Sequence, residues 1–305
     1  MDREEKDRLE NAAKEIRKYT LDTIGFLGVG HVGGSLSIAD LLAVLYFKEL
    51  KVDPANPRMP ERDRFVLSKG HAGPALYSAL ALRGFFPTSM LHTLNRGGTN
   101  LPSHCDRNKT PGVDMTTGSL GQGLSAACGI AYANRLDGRN SFTYVIVGDG
   151  ESDEGQIWEA AMFAAHHGMD RLIAFTDCNK LQIDGPISSI LSIDGKGNGH
   201  ADAKSSANAQ DDLVAKWRAF GWFCERVDGH DVEAIDNAII AAKNRTLKRD
   251  TTANTIPRPT MIIVDTIKGK GAAFCEGQVG SHNMTFDYEV AKQAIAELDA
   301  NSPLD

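Results

Sequence analysis

The feature that most constrains this chain is an alternation of short apolar runs with longer segments of helical period. Residues 64–67, 144–147, 172–176, 222–227 and 261–264 read as strands, several of them rich in β-branched or aromatic side chains. Between and after them, residues 120–136, 157–167, 211–220 and 232–244 repeat apolar positions at three and four, the spacing of a helix. Alternating β and α units imply an α/β fold, a mainly parallel sheet with helices on both faces, and ligands of such sheets sit at the carboxyl ends of the strands. A chain of 305 residues buries roughly 75% of its unfolded surface and needs no staple. With no internal repeat and no convincing linker, residues 1–305 are expected to form one domain. The stretch 192–210, rich in Gly, Ser, Asn and Asp, is long for a compact domain and reads as a functional cover or a mobile insertion.

Ahead of the first strand, apolar or small residues between Leu9 and Leu27 mark an exposed amphipathic helix, with Glu4 before Arg8 and Glu10 before Lys14 in the favourable order. A Gly30-His31-Val32-Gly33-Gly34 loop follows, and Ser37-Ile38-Ala39-Asp40 fits a capping box for a helix over residues 41–50. Gly28 to Gly33 also matches the dinucleotide pattern G-x-G-x-x-G, with Glu49 about 20 residues on. That pattern must follow a strand, and here a helix precedes it, so nicotinamide and flavin chemistry are set aside.

Charge and cysteine usage exclude further classes. Thirty-three basic against forty acidic side chains, a net charge of −7, argue against a nucleic-acid partner, and Lys243, Arg245, Lys248 and Arg249 read as a solvated loop. The five cysteines are widely spaced without a C-x-x-C pair, which disfavours a disulfide scaffold or zinc ribbon. The longest apolar run, residues 41–47, falls far short of the ~20 residues of a membrane span. The N-terminus lacks the basic start and apolar stretch of a secretory signal, and a cytoplasmic location is expected.

The strongest chemical signal is an apolar run that stops at Gly148-Asp149-Gly150, followed by Asp177-Cys178-Asn179-Lys180-Leu181 directly beyond the next run. Two neighbouring parallel strands would each deliver an oxygen ligand at the same end of the sheet, as a hard divalent cation bridging to phosphate requires. Gly150 would let a backbone N–H face that phosphate at the start of a helix. Four of the nine histidines sit in loops at element ends: His31, His71, His104 and His282. A lone histidine is more often structural, but neutral imidazoles bind hydroxyls and move protons near neutral pH. His92, His166, His167, His200 and His230 lack such a setting. The loop Thr116 to Gly123 reads either as an ordinary helix entry or as backbone contact with a flat ring or a phosphate.

Taken together, Gly-His-x-Gly-Gly-Ser-Leu-Ser, the segment Arg62 to Ala72, Thr117-Gly118-Ser119-Leu120-Gly121-Gln122-Gly123 and the paired Gly-Asp-Gly and Asn resemble transketolase, over about Leu9 to His282. The resemblance is to its N-terminal, thiamine diphosphate-binding part, and specifically to the N-terminal subunit of a split transketolase. It implies transfer of a two-carbon ketol unit from a ketose to an aldose. It implies that Asp149, Asn179 and the Leu181 carbonyl hold Mg²⁺ or Ca²⁺ against thiamine diphosphate, that the Gly150 amide donates to the diphosphate beside Gly148, and that Gly118 and Leu120 lie near the aminopyrimidine. His31, His71, His104 and His282 would orient the sugar and shuttle protons, and Glu154 and Glu159 would join a proton-linked network near a subunit interface. The pyrimidine-binding domain, with the glutamate that activates the ring, is expected on a second chain in an α₂β₂ assembly, so the lone chain would be nearly inactive. Alternatives are a 1-deoxyxylulose-5-phosphate synthase-like enzyme, a noncatalytic paralogue and a 2-oxo acid dehydrogenase subunit. Two departures stand out, Ser103-His104-Cys105 where the family carries Gly-His-Pro, which bears on the loop's shape and the sugar specificity, and the long stretch 192–210; either would suit an unusual ketose such as a deoxy- or sulfo-sugar phosphate analogue.

Overall fold

The computed structural model describes residues 1–191, 206–248 and 256–300. In chain order the elements are α1 (Arg3–Leu27), β1 (Val29–Gly30), α2 (Val32–Leu36), α3 (Ala39–Val44), β2 (Arg64–Leu67), α4 (Gly73–Leu82), α5 (Gln122–Leu136) and β3 (Thr143–Gly148). There follow α6 (Gly155–His166), β4 (Leu172–Cys178), β5 (Leu181–Gln182), β6 (Gly185–Pro186), α7 (Ile187–Ile190) and α8 (Ser206–Ala219). Last come β7 (Phe223–Asp228), α9 (Val232–Leu247), β8 (Thr260–Asp265), β9 (Met284–Thr285) and α10 (Tyr288–Ala300). Of the stretch 192–210, residues 192–205 lie outside the described residues, and 206–210 open α8.

The five long apolar runs form one parallel sheet in the order β2-β3-β4-β8-β7. Period-two alternation feeds both faces. Tyr144, Ile146, Ile173, Phe175, Ile262 and Val264 enter the core under α1, α3, α4 and α9. Val145, Val147, Leu172, Ala174, Met261 and Ile263 enter the second core, with Leu124 of α5, Ile157 of α6 and Trp217 of α8. Because the central strands are buried on both faces, their sequence is apolar throughout, which is what made them legible.

Three local expectations are corrected. The helix over residues 41–50 is α3 followed by a wider π turn at Leu45–Glu49, and Ser37 closes α2 rather than capping the start of α3. Its hydroxyl donates to Asp177 Oδ2 at 2.7 Å, while Asp40 is held by Arg17 in a buried pair, so tertiary partners took both side chains of the supposed box. Lys243 and Arg245 lie within α9 rather than a loop; Lys243 binds Glu49 at 2.6 Å and Arg245 binds Glu225 at 3.0 Å, and Arg249 lies outside the described residues. Helix α1 starts at Arg3 and is not an exposed helix, since Leu9, Ile16, Leu21 and Ile24 are fully buried against α3, α4 and α10. Gly28 closes that helix with a left-handed φ of 88°, which agrees with setting the dinucleotide pattern aside.

One close approach fixes the site's geometry. A Cβ on Gly33 would fall 2.8 Å from the Ser281 carbonyl and 2.9 Å from Lys268 Cγ, and the Gly269 amide donates to the Gly33 carbonyl at 2.9 Å. The His31 loop therefore lies directly on the segment leaving β8, which only a glycine permits.

Candidate active site

The register puts Gly148 of β3 opposite Asp177 of β4, and Cys178 opposite Asp265 of β8, so the chain leaves three adjacent strands at one level. Asp149 and Asn179 are delivered there side by side, as their strand-end positions require. Asp149 is buried; its Oδ1 accepts from the Gly150 amide at 2.8 Å and its Oδ2 from the Lys180 amide at 2.5 Å. The Gly150 amide is thus engaged by its neighbour's carboxylate. Burial, and then the nearby Asp177 charge, push the Asp149 carboxyl up to about 7. A buried carboxylate beside an amide oxygen and a carbonyl offers the oxygen donors that a hard divalent cation takes. The cradle is tight: a Cβ on Gly150 would sit 2.7 Å from Gln182 Oε1.

Asp177 has a different task. Burial alone would raise its carboxyl, but the fully paired Lys69 ammonium and hydrogen bonds from Thr266 and Ser37 hold it below the ordinary range. Its Oδ2 also accepts from Asn179 Nδ2 at 3.1 Å, which fixes the amide so that the oxygen is the end left for a ligand. Asn179 Oδ1 accepts from the Leu181 amide at 3.1 Å, and the Leu181 carbonyl accepts from Lys268 Nζ at 3.1 Å. Glu151, held by Ser68 at 2.5 Å and by the amides of Gly121 and Gly148 at 2.7 and 2.9 Å, ties the entry of α5 to the end of β3.

The four loop histidines converge. His31 precedes α2, His71 lies in the turn after β2, His104 in the loop before α5, and His282 in the turn before β9. The His31 ring lies 5.4 Å from His71, 5.6 Å from His104 and 5.5 Å from His282, and His71 lies 4.9 Å from His282. Gly118, at φ 151°, packs on His104, since an added Cβ would lie 3.4 Å from its ring. Cys105 is buried, and the Ser-His-Cys departure leaves His104 inside the cluster. A cleft of about 230 Å³ joins this ring to the strand ends, with Leu120, Gly148, Asp149, Asn179, Leu181 and Lys268 on its walls.

Burial lowers all four imidazoles. His31 and His282 fall to about 4, with His104 and Lys268 the next influence on His31 and Lys268 on His282, while His71 falls well below the ordinary value. All four are neutral at pH 7 and can donate and accept. An unfolded chain binds protons that the folded cluster refuses, so its stability contribution is full above about pH 6.5 and is lost as pH falls toward about 4. Asp149, raised in the folded state, acts in the opposite sense. We therefore expect a His31→Asn, His282→Asn double variant to lose less thermal midpoint than the wild type between pH 7 and 4, because both proteins keep Asp149. Parallel curves in a pH series of melting scans would contradict the burial of neutral imidazoles.

Glu154 and Glu159 do not enter the cleft. Glu154 stands at the N-cap of α6 and Glu159 one turn on, both exposed, above the exposed apolar Met162 and Phe163. The sequence pattern alone did not single out Lys69, Asp177 and Lys268. Lys268 is buried by its setting and lowered to about 8, by burial and then by Lys69, and it faces the cleft as a cation able to meet an anion. Its signal was available: it stands three residues beyond β8, the strand next to the one that delivers Asn179. His230 bonds Asp40 at 2.8 Å and accepts from the Ile267 amide at 2.9 Å, a structural role, and His200 lies outside the described residues.

The family model for the thiamine diphosphate binding domain of transketolase matches residues 9–301. The chain belongs to the transketolase family. It is 55% identical over 291 residues to the 6-deoxy-6-sulfo-D-fructose transketolase subunit SqwG of Clostridium sp. strain MSTE9, covering 95% of this chain and 96% of that one. It is 35% identical to an apulose-4-phosphate transketolase subunit from Actinobacillus succinogenes, covering 96% of each. Human transketolase is 34% identical, across 97% of this chain but only 43% of its own. The crystal structure of transketolase from Campylobacter jejuni superposes with a TM-score of 0.79 at 30% identity, covering 96% of this chain and 43% of that chain. The transketolase-type chain therefore has the α/β fold and the thiamine diphosphate-binding domain that its sequence resembled. Among the described residues no helix is long and apolar enough to cross a membrane.

Proposed function

We propose that this chain is the diphosphate-binding subunit of a two-chain transketolase that moves a two-carbon ketol unit from a ketose to an aldose. The observation that carries the reading is a cluster of four neutral histidines adjoining a cleft walled by a carboxylate and an amide side chain, in a chain matching subunit-length relatives nearly end to end. In this reading residues 1–305 are one domain, and a second chain brings the pyrimidine-binding domain in an α₂β₂ assembly. The exposed Met162 and Phe163, beside Glu154 and Glu159, support a subunit contact on α6.

Asp149, Asn179 and the Leu181 carbonyl would hold Mg²⁺ or Ca²⁺, with Lys268 and the Gly150 amide meeting the diphosphate. Bound thiamine diphosphate supplies the nucleophilic carbon that takes up the ketol unit. The chain's own part is to hold the sugar hydroxyls between His31, His71, His104 and His282 and to carry their protons, which neutral imidazoles do in either direction. Gly118 and Leu120 offer backbone to the ring. The intact cluster weighs against a noncatalytic paralogue, and the family match weighs against a synthase or a 2-oxo acid dehydrogenase.

The donor we favour is a ketose with a sulfonate in place of a terminal phosphate, on the strength of the Clostridium relative and the altered Ser103-His104-Cys105 loop. The assay compares 6-deoxy-6-sulfofructose with xylulose 5-phosphate in the reconstituted enzyme; preference for xylulose 5-phosphate would overturn the donor but not ketol transfer. In the same assay His104→Ala should lower kcat/KM by about one to two orders of magnitude, the loss of a ~1.5–3 kcal/mol hydrogen bond made in the transition state, with thiamine diphosphate affinity little changed. Unchanged turnover would remove His104 from the sugar.

A further inference from the structure

A cavity larger than the active-site cleft lies away from it. A hollow of about 750 Å³ opens beside Arg64, the first residue of β2, and so at the amino end of the parallel sheet, opposite the strand ends that carry Asp149 and Asn179. Its walls come from three segments: the turn at Arg58, the strand entry at Arg62 and Arg64, and the turn holding Arg107 and Lys109. Five cations thus face one hollow in a chain of net charge −7.

The single carboxylate in the wall, Asp114, is already spent. It takes the buried Arg62 guanidinium in a fork and accepts from the Phe65 amide at 2.9 Å. Asp63, next in sequence, is turned inward, accepting from the amides of Lys51 and Phe142 at 2.9 and 2.8 Å. Among the described residues Arg58, Arg107 and Lys109 have no carboxylate partner, and Arg64 reaches only the Met59 carbonyl, at 3.4 Å from each terminal nitrogen. Burial, then Arg62, weaken the hold of Arg64 on its proton, with Arg139 adding to the crowding.

The turn that presents Arg107 and Lys109 is fixed from beneath. The buried Thr110 donates its hydroxyl to the Asn100 carbonyl at 2.5 Å, and its amide and that of Lys109 both close on the Asp106 carbonyl at 3.0 and 3.2 Å. Gly112 holds a φ of 87° where a Cβ would strike Leu80 and Phe85. The cationic mouth is therefore set by the fold and is not an accident of long side chains alone.

We propose that this hollow is a second binding site, for a small molecule carrying two or more phosphate groups. The volume lies within the ~300–1,000 Å³ of small-ligand sites and exceeds what one phosphate fills. Forked guanidiniums suit phosphate oxygens, and several of them suit more than one such group. An acidic peptide is the competing occupant, but a concave hollow of about 750 Å³ favours a compact ligand over an extended one.

The test is calorimetry of the full chain with inorganic tripolyphosphate in EDTA, so that no metal bridges the probe to Asp149. We expect one saturable site in the wild type and in Lys268→Met, which lacks the cleft-wall cation that has no carboxylate partner among the described residues. An Arg58→Ser, Arg107→Ser, Lys109→Ser variant should bind about tenfold more weakly or worse, with an unchanged melting temperature because all three side chains are exposed. Binding that survives in the triple variant, or that disappears in Lys268→Met alone, would place the probe in the cleft and overturn the proposal. Tighter binding of an octaglutamate peptide than of tripolyphosphate would overturn it as well.

Discussion

Replacing Asp149 with alanine is expected to abolish metal-dependent binding of thiamine diphosphate while leaving the fold intact. The carboxylate is buried with Asp177 close by, and its proton is held up to about 7, so its ionised form is costly until a cation arrives. Removing it relieves the apo chain of that cost, and the melting temperature without ligand should hold or rise. Removing the metal ligand should cost more than the ~10–100-fold that loss of a supporting group costs a metal site. Asn179→Ala should behave alike. Asp177→Ala should not: it would strand the buried Lys69 ammonium without its counter-charge, and breaking a buried pair costs ~3–5 kcal/mol of stability. Two carboxylates on neighbouring strands thus separate, one by ligand affinity and the other by folding. Calorimetry with thiamine diphosphate and Mg²⁺, run beside melting scans, reads both, and wild-type affinity in Asp149→Ala would remove the metal site.

What can be read from the sequence depends on what each signal competes with. Strands β3, β4 and β8 were legible because burial on both faces demands apolar residues at every position, a pattern that little else in the chain produces. The strand-end placement of Asp149 and Asn179 was legible for the same reason, since both follow directly on those runs and break them abruptly. The capping box failed because Ser37 and Asp40 found Asp177 and Arg17, partners far away in sequence that a four-residue motif cannot report. Lys243 and Arg245 looked solvated because their partners, Glu49 and Glu225, come from other elements. Lys69 stood inside a recognised motif, yet its pairing with Asp177 appears only when β2, β3 and β4 are laid side by side. Local pattern reports which residues are buried, and the network joining polar ones is a property of the sheet order.

In the reading proposed above, this chain supplies one half of an active site whose other half resides on a second polypeptide. In that reading the cleft offers a metal pair, a cation and four imidazoles, and the two carboxylates on its described walls, Asp149 and Glu151, are engaged, as is Asp177 behind them. Asp149 accepts from the amides of Gly150 and Lys180, Asp177 holds Lys69, and Glu151 is held by Ser68 and two amides. None is free to protonate the far side of a pyrimidine ring. Turnover should therefore depend on the partner, with an effect of several orders of magnitude, since the group that activates the cofactor would be missing rather than displaced. The direct measurement is ketol transfer from 6-deoxy-6-sulfofructose, and in parallel from xylulose 5-phosphate, to ribose 5-phosphate by the purified chain alone and by the chain mixed with its partner subunit. Negligible turnover alone and full turnover in the mixture are expected; full turnover by the chain alone would contradict the division of the site between two chains.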